Sequence, residues 1–524
     1  MELGGDTLHT GREVQDVTRA LVTSKKYLPK REPWAHQKVG LDRIRGQRHF
    51  ALLMQMRTGK TLIDLTDFGR RELSGDVCDK LVHAPAGAYR TWETAMEENF
   101  SEDLQRRALV YRWESGAGVR HLRDLDTFMR ERSRPRVLLM NTEAVSSVKR
   151  AREVCVDFLS QRRGYSEHTV DEATSIKNHD SERTKFIVDT LSPLSTWRRI
   201  LTGLPTPRSP LDAYMQFKFL DRYILGFGSW HAFAARHSVM QEIRVGAPRR
   251  LPNGELARDS EGNIIQRTIK VPVAYRNEVE IRDKIAPVSY RVLLEDCYDL
   301  PPKMYSFRDV EWHPEQRRIY KQLREFATAE IEEGKHVTAH QVITQILRLH
   351  QVLCGHTKTE EGEDIEIPNH RIPSLLDLLE EHEGKAVVWC SYDLDVRAVS
   401  EAIAKRFDSP VARFWGGNRK TRESEERMFQ SDPSCRHMVA TPDAGGMGRQ
   451  WGVADLVVHY SNRDNLEHRE QSEFRTQIVG KTRSVGHVDM RIPGTVEDKI
   501  IEALRKKINM ASLITGDNWK QWLI

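Results

Sequence analysis

The sequence predicts an α/β protein with two parallel-sheet domains, and two observations lead to this fold class. Short apolar and β-branched runs alternate with helical patterns between residues 49 and 222, and the same rhythm returns from residue 386 onward. Such alternation is typical of parallel sheets covered by helices on both faces. The 524 residues also exceed the length of one typical core. We therefore expect two α/β domains separated by a region of different character.

The strands are predicted from short apolar runs that turn or helix signals follow. Those of the first domain are 49–56, 80–84, 136–140, 166–170 and 199–202, with a helix over 61–73. Those of the second are 386–390, 411–414, 437–440, 456–460 and 487–491. The segment 166–170 is more polar than a buried central strand is expected to be. The predicted boundaries are an N-terminal extension over 1–30, a first domain over 31–230, an insertion over 231–370, a second domain over 371–495 and a C-terminal helical brace over 496–524.

The insertion is predicted to contain a basic hairpin and a helical stretch. Turn signals at Asn253-Gly254 lie among basic residues, which predicts a hairpin over about 244–270. Arg249, Arg250 and Arg267 are its candidate contacts to nucleic-acid phosphates, and a solvated surface loop is the alternative. Pro314–Cys354 has an apolar helical face.

Composition narrows the class of protein. The 81 Lys and Arg residues exceed the 76 Asp and Glu residues by five, a mildly basic balance that permits a nucleic-acid partner without requiring one. No apolar run has the length of a membrane span. The six cysteines form no CxxC pair, which favours free thiols in a reducing cytoplasm. We expect a cytoplasmic protein without a membrane partner.

A phosphate-binding loop is predicted where the first strand ends. In Met56-Arg57-Thr58-Gly59-Lys60-Thr61, the amides of residues 57–61 are candidates to surround the phosphates of a nucleotide. The Lys60 ammonium is expected to reach the β- and γ-phosphates, and the Thr61 hydroxyl to ligate Mg²⁺. The alternative is a glycine-containing turn without a ligand.

An acidic pair follows the polar strand. Asp171 is a candidate magnesium ligand, and Glu172 is a candidate to orient or deprotonate the attacking water. The alternative is a helix N-cap. The basic, polar segment 175–185 that follows disfavours this alternative.

Asp171-Glu172-Ala173-Thr174, followed by Ser175-Ile176-Lys177-Asn178, resembles the second motif of the Swi/Snf-type ATPases in helicase superfamily two. Further segments resemble that family's motifs in the family's order: Gln37, 84–87 with Arg90 and Trp92, 201–206, 388–392, 441–448, and Gln471 with Arg475. The resemblance spans residues 33–515, and the small phage and prokaryotic members are the most similar in layout.

The resemblance implies two RecA-like parallel-sheet lobes with helical and β-hairpin insertions. It implies ATP and Mg²⁺ as cofactors, with Gln37 at the adenine and Gly446 and Gly448 near the nucleotide. It gives Gln471 and Arg475 catalytic roles beside Lys60, Asp171 and Glu172. The nucleic-acid contacts that it implies are Arg90, Thr142, Thr206, Arg208, Ser391, Gly417 and Thr441. For Thr142 and Ser391 taken singly, a helix-capping role is the alternative.

The sixth motif departs from the family pattern. The family places a second arginine at the position that Ile478 occupies here, and that arginine contacts the γ-phosphate. An arginine finger can contribute ~10³-fold or more to the rate, because it neutralises charge in the transition state. Isoleucine cannot do so, which makes a weak or inactive ATPase one expectation.

The function that follows from the resemblance is an ATP-dependent double-stranded DNA translocase that remodels DNA, with forks and branched junctions as candidate substrates. One alternative is a strand-separating DNA or RNA helicase. Another is a nucleotide-dependent DNA-binding protein weakened by Ile478. The expected partner is double-stranded or branched DNA, and we expect a monomer.

Overall fold

The protein, as a computed structural model, is described over residues 27–505 with short internal gaps. The gaps are residues 86–87, 115, 117, 163, 204, 207–208, 249–255, 257, 259–265, 299–300, 302, 334–338, 359–362, 445–449, 463–464, 479–480 and 482. Five predicted site residues therefore lie outside the described residues: Arg208, Arg249, Arg250, Gly446 and Gly448.

The strands of the described chain follow the predicted runs closely. They are β1 (His49–Met54), β2 (Asp79–Ala84), β3 (Leu109–Arg112), β4 (Arg136–Asn141), β5 (Ser166–Asp171), β6 (Trp197–Leu201), β7 (Ser238–Pro248), β8 (Gln266–Tyr275), β9 (Ser289–Val292), β10 (Met304–Asp309), β11 (His356–Lys358), β12 (Asp364–Glu366), β13 (Lys385–Trp389), β14 (Val411–Phe414), β15 (His437–Ala440), β16 (Ala454–His459) and β17 (Gly486–Arg491).

The α-helices are α1 (Ala35–Arg43), α2 (Lys60–Leu73), α3 (Tyr89–Asn99), α4 (Glu102–Arg107), α5 (Val119–Arg130), α6 (Ala144–Ser147), α7 (Lys149–Gln161), α8 (Glu182–Lys185), α9 (Ala213–Leu220), α10 (Trp230–His237), α11 (Glu278–Ile285), α12 (Pro314–Glu333), α13 (Ala339–Cys354), α14 (Arg371–Glu380), α15 (Asp393–Phe407), α16 (Arg422–Ser431), α17 (Leu466–Phe474) and α18 (Val496–Arg505). Among the described residues, none of these helices is both long enough and apolar enough to cross a membrane.

The chain divides into two compact units. The first comprises the residues up to Thr206 together with Leu211–Phe233 and Val279–Tyr298. The second comprises Pro207–Pro210, Ala234–Glu278 and the residues from Asp299 onward. The boundaries drawn from the sequence for extension, insertion and brace stay a prediction.

Each unit is built on one parallel sheet, which confirms the predicted fold class. The sheet of the first unit has the order β3-β4-β2-β5-β6-β1-β9, and all its neighbouring strands are parallel. The sheet of the second unit has the order β10-β17-β16-β13-β15-β14, again with parallel neighbours. The apolar positions of the central strands are buried in both. Two α/β units with parallel sheets are therefore present.

Three edge strands were not predicted from the sequence. Strand β3 is an outer strand of the first sheet, β9 pairs with β1 at the opposite edge, and β10 pairs with β17 at an edge of the second sheet. Most positions of β10 are exposed. Short edge strands carry weak burial patterns, because only one of their sides is paired.

The predicted hairpin is present as the antiparallel pair β7 and β8, which extends from Ser238 opposite Tyr275 to Pro248 opposite Gln266 with two shifts of register. It therefore begins before the predicted range and ends after it. The helical stretch predicted over 314–354 consists of α12 and α13.

The polar strand β5 is buried along its whole length, because its charges are paired. Glu167 accepts hydrogen bonds from Lys80 and Arg71. Lys80 also pairs with Asp64 at 2.7 Å and donates to the Thr169 hydroxyl at 2.8 Å. Burial of a charge is tolerated where it is paired and hydrogen-bonded. A polar strand therefore occupies the centre of the first sheet.

Candidate nucleotide and nucleic-acid sites

The carboxyl ends of β1 and β5 bring the two first-unit motifs to one edge of the sheet. Leu201 of β6 pairs with Leu52 of β1 on one side and with Asp171 of β5 on the other. The loop after β1 and the acidic pair ending β5 are thus separated by a single strand. Ligands of open parallel α/β sheets bind outside the carboxyl ends of the strands.

The loop after β1 has the conformation of a tight strand-to-helix turn. Gly59 has φ +86°, and a Cβ there would lie 2.1 Å from Gln37 Nε2, so only glycine fits. Arg57 adopts φ +70°, a region that non-glycine residues rarely occupy. Burial lowers the pKa of Arg57 to about 10. Helix α2 begins at Lys60, so its free N–H groups lie where an anion is favoured.

Gln37 holds this loop rather than facing solvent. Its side chain is 3% exposed, its Nε2 donates to the Thr58 carbonyl at 3.2 Å, and its Oε1 accepts from the Trp34 amide at 2.9 Å. The ring of His36 reaches the same Thr58 carbonyl at 2.8 Å. Gln37 therefore joins α1 to the phosphate-binding loop, and its adenine contact stays a prediction. The sequence did not identify His36.

Lys60 and Glu172 form a buried ion pair. Lys60 Nζ lies 2.9 Å from Glu172 Oε1, and both residues are less than a tenth exposed. Burial alone would lower the pKa of Lys60, but Glu172 and Asp171 outweigh it and raise that pKa above its usual value. The lysine is therefore held as a cation beside Glu172, the carboxylate that is predicted to orient or deprotonate the attacking water.

The Asp171 carboxylate is oriented by two donors. Trp92 Nε1 donates to Oδ2 at 2.8 Å, and the Glu172 amide donates to Oδ1 at 3.0 Å. Glu172 has φ +49°, so backbone strain occurs in this loop as well as at Arg57. Each carboxylate oxygen keeps a lone pair beyond its one donor. Asp171 and half-buried Thr61, the two predicted magnesium ligands, offer only oxygen atoms, which is the ligand type that suits Mg²⁺, and their roles as ligands stay a prediction.

The other first-unit residues that the resemblance implies have different environments. Thr142 is fully buried after β4, where its amide donates to the Ala84 carbonyl at 3.1 Å, whereas Thr206 is exposed. Arg90 lies in α3, and Arg267 lies in β8 of the second unit; their side chains are outside the described structure. Their nucleic-acid roles stay predictions.

The second unit contains a cavity of about 750 Å³ at the carboxyl ends of β13, β14 and β15. Two predicted residues line it, Ser391 and Thr441, and exposed Gly417 follows the lining residue Gly416. Ser391 is tied to the end of β16, because its hydroxyl donates to the Ser461 carbonyl at 2.9 Å. The cavity thus brings Ser391 and Thr441 together.

Three arginines that the sequence did not single out also line this cavity: Arg397, Arg419 and Arg422. Arg397 lies over the Trp415 ring, with its guanidinium carbon 5.2 Å from the ring centroid. Arg422 donates to the Trp415 carbonyl at 2.7 Å and to the Ala444 carbonyl at 3.0 Å. The only sequence signal was their position after predicted strands.

Arg475 is buried in the core of the second unit. Its guanidinium lies 5.2 Å from the Trp389 ring and 5.0 Å from the Trp451 ring, and these two rings stack on each other. The residue is 2% exposed. Gln471 lies in α17 and is half-buried. The catalytic roles of both stay predictions.

Ile478 packs closely on Gly452, where an added Cβ would lie 2.2 Å from Ile478 Cδ1. Two other cations of the second unit, Lys481 and Arg469, have protein partners of their own. Lys481 Nζ donates to the Gly452 carbonyl at 3.1 Å. Arg469 pairs with Asp489 at 2.5 Å and with Glu473 at 2.7 Å. These contacts give Arg469 and Lys481 structural roles in this region.

Glu473 also lies near two buried histidines, His459 and His487, whose ring nitrogens come within 4.8 Å of its carboxylate. The carboxylate already accepts hydrogen bonds from Lys303 at 2.9 Å, from Tyr305 at 2.7 Å and from Arg469 at 2.7 Å. Cations so close disfavour a metal ion. We assign no metal to this cluster.

Several known proteins are similar to this chain. The TATA-binding protein-associated factor MOT1 of Saccharomyces cerevisiae is 22% identical over 403 residues, which cover 67% of this chain and 20% of that protein. The putative ATP-dependent helicase/translocase YwqA of Bacillus subtilis is 23% identical over 366 residues, covering 67% of this chain and 36% of that protein. The chain thus spans only a minor part of the length of either relative.

A solved structure, the SWI2/SNF2 ATPase core of Sulfolobus solfataricus in complex with dsDNA, is 20% identical and covers 94% of this chain and 96% of that chain, with a TM-score of 0.40. The SNF2-related domain matches residues 38–358, which is more than half of the 524 residues. The resemblance seen in the motifs is thereby confirmed: the chain belongs to the SNF2-related family.

Proposed function

We propose that the protein is an ATP-dependent motor that translocates on double-stranded DNA. The observation that carries this proposal is the arrangement at the carboxyl ends of β1 and β5. There Lys60 Nζ lies 2.9 Å from Glu172 Oε1, and the Asp171 carboxylate is oriented beside them. A phosphate-binding lysine next to an acidic pair has the composition of a nucleotide-hydrolysis site.

In the proposed reaction, Lys60 exchanges its contact with Glu172 for the β- and γ-phosphates. Thr61 and Asp171 are the residues that would hold Mg²⁺, which supplies neutralising charge at the phosphates. Glu172, once released, orients the attacking water and accepts its proton as the water oxygen bonds to the γ-phosphorus. The bond between that phosphorus and the β–γ bridging oxygen breaks, and ADP and inorganic phosphate leave. The buried position of Lys60 strengthens its attraction to the phosphates, because water screens it little.

The second unit supports a nucleic-acid partner. Its 750 Å³ cavity combines Ser391 and Thr441 with Arg397, Arg419 and Arg422. Hydroxyls and guanidinium groups are the side-chain donors that most often contact phosphate oxygens. The relatives support the same direction, since one is a putative helicase/translocase and one solved structure holds dsDNA. We further propose forks and branched junctions as the specific DNA structures on which the protein acts.

The rival proposal follows from Ile478. With no arginine at this position, and with Arg469 and Arg475 engaged inside the second unit, the chain would bind nucleotide and DNA without efficient turnover. A strand-separating helicase is the other enzyme alternative.

The deciding experiment measures ATP turnover of the purified full chain without DNA and with duplex, single-stranded or branched DNA. The variants are Ile478→Arg, Ile478→Met as a control of similar length without charge, and Glu172→Gln as an inactive reference. We expect turnover stimulated by duplex in the unmodified chain and lost in Glu172→Gln.

Turnover that appears only in Ile478→Arg would instead support the weakened DNA-binding protein. Stimulation by single strands alone would contradict translocation on duplex and favour the strand-separating helicase. If Ile478→Met behaves as Ile478→Arg does, the effect comes from repacking against Gly452 rather than from a restored cation.

A further inference from the structure

We propose that Trp92 is a positioning residue for Asp171, which fixes the direction in which that carboxylate faces a divalent cation. This inference rests on the proposed function, in which Asp171 holds Mg²⁺. The carrying observation is the 2.8 Å hydrogen bond from Trp92 Nε1 to Asp171 Oδ2, between residues 79 positions apart in the sequence.

The carboxylate is constrained at both oxygens. Trp92 donates to Oδ2 and the Glu172 amide donates to Oδ1 at 3.0 Å, so rotation of the carboxylate would break one bond or the other. Both donors are buried, and Asp171 is 7% exposed. A charge-assisted hydrogen bond in such a site is stronger than one between neutral groups in water. The two donors therefore leave the carboxylate one stable orientation.

Trp92 is itself firmly held. It is fully buried on the face of α3 that also carries Tyr89 and Met96, at helical spacing, and buried Ala88 immediately precedes the helix. That face packs into the apolar core of the first unit. The indole thus transfers the rigidity of α3 to the carboxylate.

Filling the core does not explain the choice of indole. A phenylalanine would occupy most of the same space and would bring no donor that needs a partner. Indole has a single N–H, and in Trp92 that N–H donates its hydrogen bond to Asp171. By contrast, the N–H of Trp197 in the same unit donates to a backbone carbonyl, that of Asp76, at 3.3 Å.

The test compares Trp92→Phe with the matched control Trp197→Phe in the full chain. Calorimetry measures the binding of a non-hydrolysable ATP analogue at stepped Mg²⁺ concentrations, including none. We expect Trp92→Phe to raise the half-saturating Mg²⁺ concentration roughly tenfold or more, since loss of a residue that orients a metal ligand typically costs 10–100-fold. Binding without Mg²⁺ should stay unchanged, and Trp197→Phe should match the unmodified chain.

An unchanged Mg²⁺ dependence in folded Trp92→Phe would overturn the proposal. Loss of binding also without Mg²⁺ would overturn it too, because it would indicate general damage to the site. If Trp92→Phe does not fold, the benzothiophene analogue of tryptophan at position 92 decides, since sulfur replaces the N–H at nearly the same shape. A chain that binds the Mg²⁺ complex but shows no turnover would refute the proposed function and leave the binding result to decide on Trp92.

Discussion

Lys80→Met is expected to destabilise the first unit more than any loss of a surface charge. The Lys80 side chain is completely buried. Its ammonium lies 2.7 Å from Asp64 Oδ2, donates to Thr169 at 2.8 Å and also bonds Glu167. Methionine keeps much of the side-chain volume and removes the charge. The variant therefore leaves two buried carboxylates without their shared cation.

The size of the effect follows from the burial of these groups. Removing one partner of a buried ion pair costs about 3–5 kcal/mol. Arg71 remains beside Glu167 as a cationic partner, so Asp64 is the carboxylate that the variant mainly leaves unpaired. For a unit of this size each kcal/mol lowers the melting temperature by about 2–4 °C. We therefore expect the transition of the first unit to fall by roughly 6–20 °C.

The variant should also change the pH dependence of stability. Burial raises the pKa of Asp64 to about 6, although Lys80 lowers it. Without Lys80 the pKa of Asp64 rises further, so the Asp64 carboxyl of the folded protein binds a proton at neutral pH. When folding raises the pKa of a carboxyl group, the contribution of that group to the stability of the folded protein falls as the pH rises toward the folded pKa. The deficit of Lys80→Met should therefore be larger at pH 8 than at pH 6.

The assay is thermal and urea unfolding of the full chain, with each transition followed separately. The control is Lys218→Met in the same unit, which removes a partly exposed pair with Asp189 at 2.8 Å and should cost less than about 1 kcal/mol. The double variant Lys80→Met with Asp64→Asn should lose less than the two single losses summed. A Lys80→Met loss no larger than that of Lys218→Met would refute the reasoning.

Two further predictions concern acid stability and the salt dependence of DNA binding. Burial lowers the pKa of His83 to about 3 and that of His487 to about 4, so unfolded chains take up protons first as the pH falls below about 6.5. Each of these two histidines should therefore cost its own unit about 1.4 kcal/mol between pH 7.5 and 5.5, and other buried histidines with lowered pKa values, among them His49, His168, His437 and His459, act in the same direction. In the first unit, Asp64 offsets about 1 kcal/mol of this loss. Urea midpoints of each unit at the two pH values measure the dependence, and replacing His83 by Leu should reduce it in the first unit. Replacing Arg397 and Arg419 by Gln should reduce the slope of log affinity against log salt for duplex DNA by about 2, whereas Arg406→Gln, at a surface pair with Glu380, should leave it unchanged. An unreduced slope would remove the cavity from the DNA-binding surface.

The sequence predicted what depends on local pattern. Apolar runs of four to six residues mark the central strands, because strands buried on both faces exclude polar side chains unless these are paired. The turn Arg57-Thr58-Gly59 and the helix that follows were predicted because glycine and the loop composition are local requirements. Edge strands β3, β9 and β10 were missed, since their identity lies in the neighbour they pair with.

Tertiary structure alone decided how the polar residues are used. Glu167 sits in the centre of a sheet because Lys80 and Arg71, far away in the sequence, pair with it. Arg475 lies beside the stacked rings of Trp389 and Trp451, an environment that no spacing predicts. Trp92 reaches Asp171 only because α3 packs beside the end of β5.

By itself, then, the sequence determined two parallel α/β units and the motifs that end their strands. Backbone preference and the spacing of buried residues depend on residues that are close together in the chain. The tertiary structure decided which charges are paired, which arginines are buried and which donors orient the carboxylates. These outcomes depend on distances between residues remote in the chain, and a sequence pattern does not contain those distances.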